Sequence, residues 1–127
     1  MGILQSSTFK QLKSGELEEL VLQRCGHNDI PPKLFKVCKL LKSLDLKYNN
    51  FQSLSKEVYK LESLTKLDIS CNLLKKFPPS LCTIVTLKHL DLSYNHIPSL
   101  PDEFSELKSL EQLYLAFNDL KGIETTC

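Results

Sequence analysis

Leu87-Lys88-His89-Leu90-Asp91-Leu92-Ser93-Tyr94-Asn95-His96-Ile97 reads L-x-x-L-x-L-x-x-N-x-I. Its fixed positions return at a step of 23 residues. Upstream they are Leu64, Leu67, Ile69, Asn72 and Leu74, and before those Leu41, Leu44, Leu46, Asn49 and Phe51. Downstream they are Leu110, Leu113, Leu115, Asn118 and Leu120. Four copies without a gap define a repeat architecture, and such a period outranks any local propensity.

The spacing inside one copy dictates how the chain bends. The last two leucines of L-x-x-L-x-L are two apart, so both face one side of a strand. After each Asn comes an apolar series: Phe51, Leu54, Val58, Leu61; then Leu74, Phe77, Leu81, Ile84; then Ile97, Leu100, Phe104, Leu107. Such intervals suit a turn followed by a short helical segment, with apolar positions three or four apart. Pro78 and Pro101 open that segment in two copies, where a fixed φ is suitable and a missing N–H costs little. No single copy can bury its own apolar face, so the coils must stack and share one core. The expected fold is α/β: a curved right-handed solenoid of about five coils, parallel strands on the concave face and short helical or 3-10 segments on the convex face.

The ends are less regular. Leu17, Leu20 and Leu22 begin a first copy in which Cys25 stands in the Asn place, one residue out of step with the 23-residue period. Asn28-Asp29-Ile30-Pro31-Pro32 resembles the turn half of a copy. A bulge at Cys25-Gly26-His27 is therefore expected, with either Cys25 or Asn28 filling the Asn position. Residues 1–16 are expected to form an N-terminal cap or irregular segment, and residues 17–127 the repeats, starting near 17, 41, 64, 87 and 110. The last copy stops early, which points to a longer protein or to self-association as a homodimer through the open last coil. Gly2 followed by Ser6 fits an N-myristoylation pattern, a route to membrane association.

From Ile84 to Pro101 the chain reads I-x-x-L-x-x-L-D-L-S-x-N-x-I-x-x-L-P. It resembles the leucine-rich repeat family, and within it the 23-residue intracellular class of Ras-suppressor-like, scribble-like and plant Ras-group proteins. The resemblance implies a non-catalytic scaffold for a protein partner, in small GTPase, kinase or phosphatase complexes.

Composition narrows the setting. Sixteen Lys+Arg against fifteen Asp+Glu leave a net charge of +1, interspersed, with no basic block suited to nucleic acid. No apolar run is long enough for a transmembrane helix. The five cysteines, Cys25, Cys38, Cys71, Cys82 and Cys127, follow no zinc spacing and no clustered disulfide frame. No Asn-x-Ser/Thr acceptor occurs. A reducing, cytoplasmic location follows as the expectation. No phosphate loop, catalytic triad pattern or metal motif is present, so neither enzyme activity nor a cofactor is expected.

Side chains opposite the strand leucines form columns across the coils. The candidate partner-binding residues are Asp45, Lys47, Tyr48, Lys66, Asp68, His89, Asp91, Tyr94, His96, Tyr114 and Phe117. Asp45, Asp68 and Asp91 can receive a cation or a partner's basic side chain, or stand as solvated members of the repeat. Tyr48, Tyr94 and Phe117 are of the type favoured as interface anchors, or pack on one another. Asn49, Asn72, Asn95 and Asn118 are expected to be structural. An Asn amide carries both donors and an acceptor, so it can satisfy a buried bend of its own coil and of a neighbour.

Overall fold

A computed structural model describes residues 17–120. The expected N-terminal cap, the Gly2 site and everything from residue 121 lie outside the described residues. Five three-residue strands recur: β1 (Glu19–Val21), β2 (Ser43–Asp45), β3 (Lys66–Asp68), β4 (His89–Asp91) and β5 (Gln112–Tyr114). Between them run α1 (Pro32–Val37) and three 3-10 segments, η1 (Lys56–Lys60), η2 (Pro79–Thr83) and η3 (Asp102–Glu106).

The strands pair in parallel, in the order β1-β2-β3-β4-β5. Register follows the repeat: Leu20, Leu44, Leu67, Leu90 and Leu113 lie side by side. The expected leucine-rich repeat solenoid of about five coils is the fold observed. Leucines at the fixed positions fill the space between the sheet and the helical segments. Leu41, Leu64 and Leu87 are wholly buried there, as are Leu46, Ile69 and Leu92. Each such side chain contributes about 1.5–3 kcal/mol relative to an exposed one.

The convex segments are short for a geometric reason. Each coil must rejoin the next strand within 23 residues, and a 3-10 turn rises further per residue than an α-turn. In the regular coils the N–H after the segment bonds three residues back: Leu61 to Val58, Ile84 to Leu81, and Leu107 to Phe104.

The first coil corrects one expectation. Its extra residue is not a bulge at Cys25-Gly26-His27. Cys38 N–H bonds four residues back, to Leu34, so the segment closes as an α-turn rather than a 3-10 turn. Everything before it stays in register. His27 carbonyl accepts from Asn50 N–H as Phe51 carbonyl accepts from Leu73 N–H. An added residue is easily absorbed where a 3-10 turn can relax into an α-turn. It is poorly absorbed where a bend is hydrogen-bonded to the next coil.

Candidate functional site

The site's frame is the asparagine ladder. Asn72 Nδ2 donates to the carbonyls of Ile69 and Ser70 in its own coil and of Leu46 in the preceding one, at 3.0–3.1 Å. Its Oδ1 accepts from Phe51 N–H at 3.0 Å. Asn95 does the same one coil on, with Leu74 N–H, and Asn118 with Ile97 N–H. Asn49 reaches back to the first coil, accepting from both Cys25 and His27 N–H. Each of these four side chains bonds backbone groups of its own coil and of the preceding one.

Asn49 also settles the first position. Cys25 fills it: its thiol turns onto Gln23 carbonyl at 3.2 Å, a bond equivalent to the one Asn72 makes to Ser70. Asn28 is exposed.

One position before each ladder residue, the backbone turns left-handed. Arg24, Tyr48, Cys71, Tyr94 and Phe117 have φ between 53 and 59°. Non-glycine residues rarely hold this conformation. Here the next residue's side-chain bonds and the parallel register enforce it. The consequence is that five side chains are thrown outward in one file. Tyr94 and Phe117 stack with centroids 4.5 Å apart and planes inclined by 13°. Arg24 places its guanidinium 4.3 Å above the Tyr48 ring. The aromatics therefore pack on neighbours and still face solvent, with Tyr94 54% and Phe117 70% exposed. Cys71, half-buried, interrupts the file between the two pairs.

The aspartate column is tied to the backbone. Asp45 Oδ1 accepts from Lys47 N–H, Asp68 Oδ1 from Ser70 N–H and Asp91 Oδ1 from Ser93 N–H, at 2.9–3.0 Å. Each carboxylate thus closes the turn that follows its strand. Asp45 Oδ2 takes the Gln23 amide at 2.6 Å, and Asp68 Oδ2 lies 3.4 Å from Lys47 Nζ. The carboxylates of Asp68 and Asp45 in turn raise the Lys47 pKa. Lys47 is thus a counter-charge to this column, whereas Lys66 and His89 make no ion pair among the described residues. They line, with Asp68, Asp91, Gln112 and Tyr114, a shallow depression of about 290 Å³ on the open sheet face. His96 Nδ1 lies 3.5 Å from Asp119 Oδ2, both exposed. No group of three or more His, Cys, Asp or Glu able to hold a metal occurs among the described residues.

The structure gathers eight of the candidate residues into two groups and leaves Asp45, Lys47 and His96 outside both. Lys66, Asp68, His89, Asp91 and Tyr114 share the depression. Tyr48, Tyr94 and Phe117 form the left-handed file beside it. Arg24, which stacks on Tyr48, was not among the candidates, and its column position is the signal that marks it.

Residues 15–74 and 62–120 match the family described as Leucine rich repeat. No curated protein matches the chain. Among solved structures, a leucine-rich repeat protein of Leptospira interrogans is similar at 29% identity and a TM-score of 0.75, covering 94% of this chain and 30% of that one. Internalin C2 of Listeria monocytogenes is similar in fold, at 24% identity and a TM-score of 0.71, over 85% of this chain and 46% of that one. The structure of PEPR1-AtPEP1 is similar at 32% identity and a TM-score of 0.61, over 74% of this chain and 14% of that one. The chain spans less than half the length of each of these three. Among the described residues no helix is long and apolar enough to cross a membrane.

Proposed function

The chain belongs to the leucine-rich repeat family, whose domains generally mediate protein–protein interaction, and from that premise we propose that it is a non-catalytic module holding a protein partner on its concave sheet face. The observation that carries this reading is the file of exposed side chains on a rigid frame. Tyr94 and Phe117 are held by enforced backbone turns and mutual stacking, and Tyr48 by its turn and the Arg24 guanidinium over its ring. Ordering them on binding costs little entropy, and aromatic residues of this kind act as interface anchors. The partner class carried over from the family resemblance is a small GTPase, kinase or phosphatase complex in intracellular signalling. A reducing cytoplasmic setting belongs to the same proposal. It is supported by Cys25, Cys38, Cys71 and Cys82 all being free thiols.

Two tyrosines make a matched test. Tyr94 on the sheet side is 54% exposed and Tyr59 on η1 is 55% exposed. A photo-crosslinking amino acid is placed at one position or the other in cells. The expected result is a discrete adduct from position 94 that Tyr48→Ala/Phe117→Ala removes without lowering the melting temperature. Adducts from position 59 alone overturn the reading.

A further inference from the structure

We propose that a second docking surface, on the seam between the second and third coils, takes an acidic segment of a partner protein. The seam carries a depression of about 280 Å³ lined by Ser53, Leu54, Lys56, Lys76, Pro78 and their neighbours. Its position follows from local sequence. The second coil has Leu54-Ser55 where the third has Phe77-Pro78. Ser55 spends its oxygen on Glu57 N–H, opening η1. Ser80 Oγ reaches back to Leu54 carbonyl at 3.2 Å and ties the two coils together. Pro78 and Pro79 stiffen the lining, so the surface is formed before anything binds.

The charge at this seam has one sign and no internal answer. Lys56 enters from the second coil and Lys76 from the third, with Lys75 beside it. All three are exposed, and none makes an ion pair among the described residues, whereas Lys42, Lys47 and Lys60 each do. Flanking acids do not neutralise them. Glu57 is engaged by Lys60, and Asp29 forms no ion pair with Lys56, Lys75 or Lys76 among the described residues. Asp102 stands one coil further on, at the position equivalent to Pro79. Two ammonium groups across an apolar floor of Leu54, Pro78 and Pro79 complement a carboxylate set on an aliphatic stem. That chemistry is a Glu- and Leu-containing protein segment. A bare inorganic anion makes no use of the floor.

The test is an NMR titration of the whole chain with a capped peptide of alternating Glu and Leu, against the same peptide with Gln for Glu and against inorganic phosphate. The expected shifts centre on Ser53, Lys56, Lys76 and Ser80. The dissociation constant rises about tenfold in Lys56→Gln/Lys76→Gln, and binding weakens with added salt. Both lysines are exposed, so the variant keeps its fold, which its melting temperature verifies. Equal binding of the Gln peptide, unchanged affinity in the variant, or phosphate binding as tightly as the peptide overturns the proposal. Crosslinking from position 94 reports on the left-handed file, which shares no residue with this seam, so either reading can fail alone.

Discussion

Asn72 and Phe51 are joined across two coils: the Asn72 Oδ1 accepts the Phe51 backbone N–H at 3.0 Å, with both residues buried. No strand pairing serves that N–H, because the chain has already turned away from the sheet. The same amide donates to Leu46, Ile69 and Ser70 carbonyls. Asn72→Leu keeps the volume and removes every one of these bonds. A buried polar group left unsatisfied costs about 1–3 kcal/mol, so several together should cost at least about 3 kcal/mol in urea unfolding. Asn118→Leu should cost less, because Asn118 is half-buried and water can replace part of its bonding. Equal losses at the two positions would contradict the ladder as drawn.

The left-handed file makes a stereochemical prediction. Cys71 has φ 56° and is half-buried. A β-branched side chain is strongly disfavoured in this region, whereas Asn tolerates it. Cys71→Val should lose about 1–2 kcal/mol, while Cys71→Asn stays within about 0.5 kcal/mol of the parent. Chemical denaturation reads both. A Val variant as stable as the Asn variant argues that the backbone there can relax.

These two relationships differ in how far the sequence revealed them. The ladder was legible, because Asn at a fixed step has a bonding capacity that only a bend can use. The left-handed file was not. Glycine or asparagine usually marks such a turn, but here the residues are Arg24, Tyr48, Cys71, Tyr94 and Phe117. The conformation is imposed by neighbours rather than chosen by the residue. The extra residue of the first coil was misplaced for a related reason. Asn28-Asp29-Ile30-Pro31-Pro32 resembles a displaced turn half and drew the irregularity to the residues before it, where Gly26 has φ 69°. Yet that glycine follows the ladder position in a coil otherwise in register, and α1 absorbed the residue silently. Exposure of the columns could be read from the offset alone, but the stacking of Tyr94 on Phe117 depends on rotamers that no spacing encodes. Asn28→Ala should accordingly change stability by less than about 0.5 kcal/mol; a larger loss would return Asn28 to the ladder.

Thiol chemistry gives a pH prediction. Cys38 is wholly buried, and burial pushes its thiol from the usual 9.0 up to about 11. In the unfolded chain it ionises at its ordinary value, so the unfolded state loses the proton first as pH rises. The stability this group contributes is fully present below pH 9.0 and is lost as pH rises through about 11. Relative to Cys38→Ala, the parent should lose on the order of 2 kcal/mol more across that window. Urea titrations at several pH values measure the difference, and parallel curves for the two proteins would contradict it. Iodoacetamide should label half-buried Cys71 well before Cys38.

The aspartates decide how much of the open face is available to a partner. Asp68 Oδ1 accepts Ser70 N–H at 2.9 Å and the Ser70 hydroxyl at 2.6 Å, and Ser70 is buried. Asp68→Ala should therefore cost about 1–2 kcal/mol of stability. Asp68→Asn keeps the acceptor and gives up only the 3.4 Å approach of Lys47, a loss of less than about 1 kcal/mol. Asp91 differs in one respect. Its Oδ1 holds Ser93 N–H, but its Oδ2 has no protein partner among the described residues. The side chain that would reach it from the preceding coil, by analogy with Gln23 on Asp45 and Lys47 on Asp68, is Ser70, and Ser70 is bound to Asp68. Asp91→Asn should thus leave stability unchanged and lower the yield of crosslinking from position 94. If stability falls and crosslinking does not, the column is wholly structural, and the partner rests on the aromatic file alone.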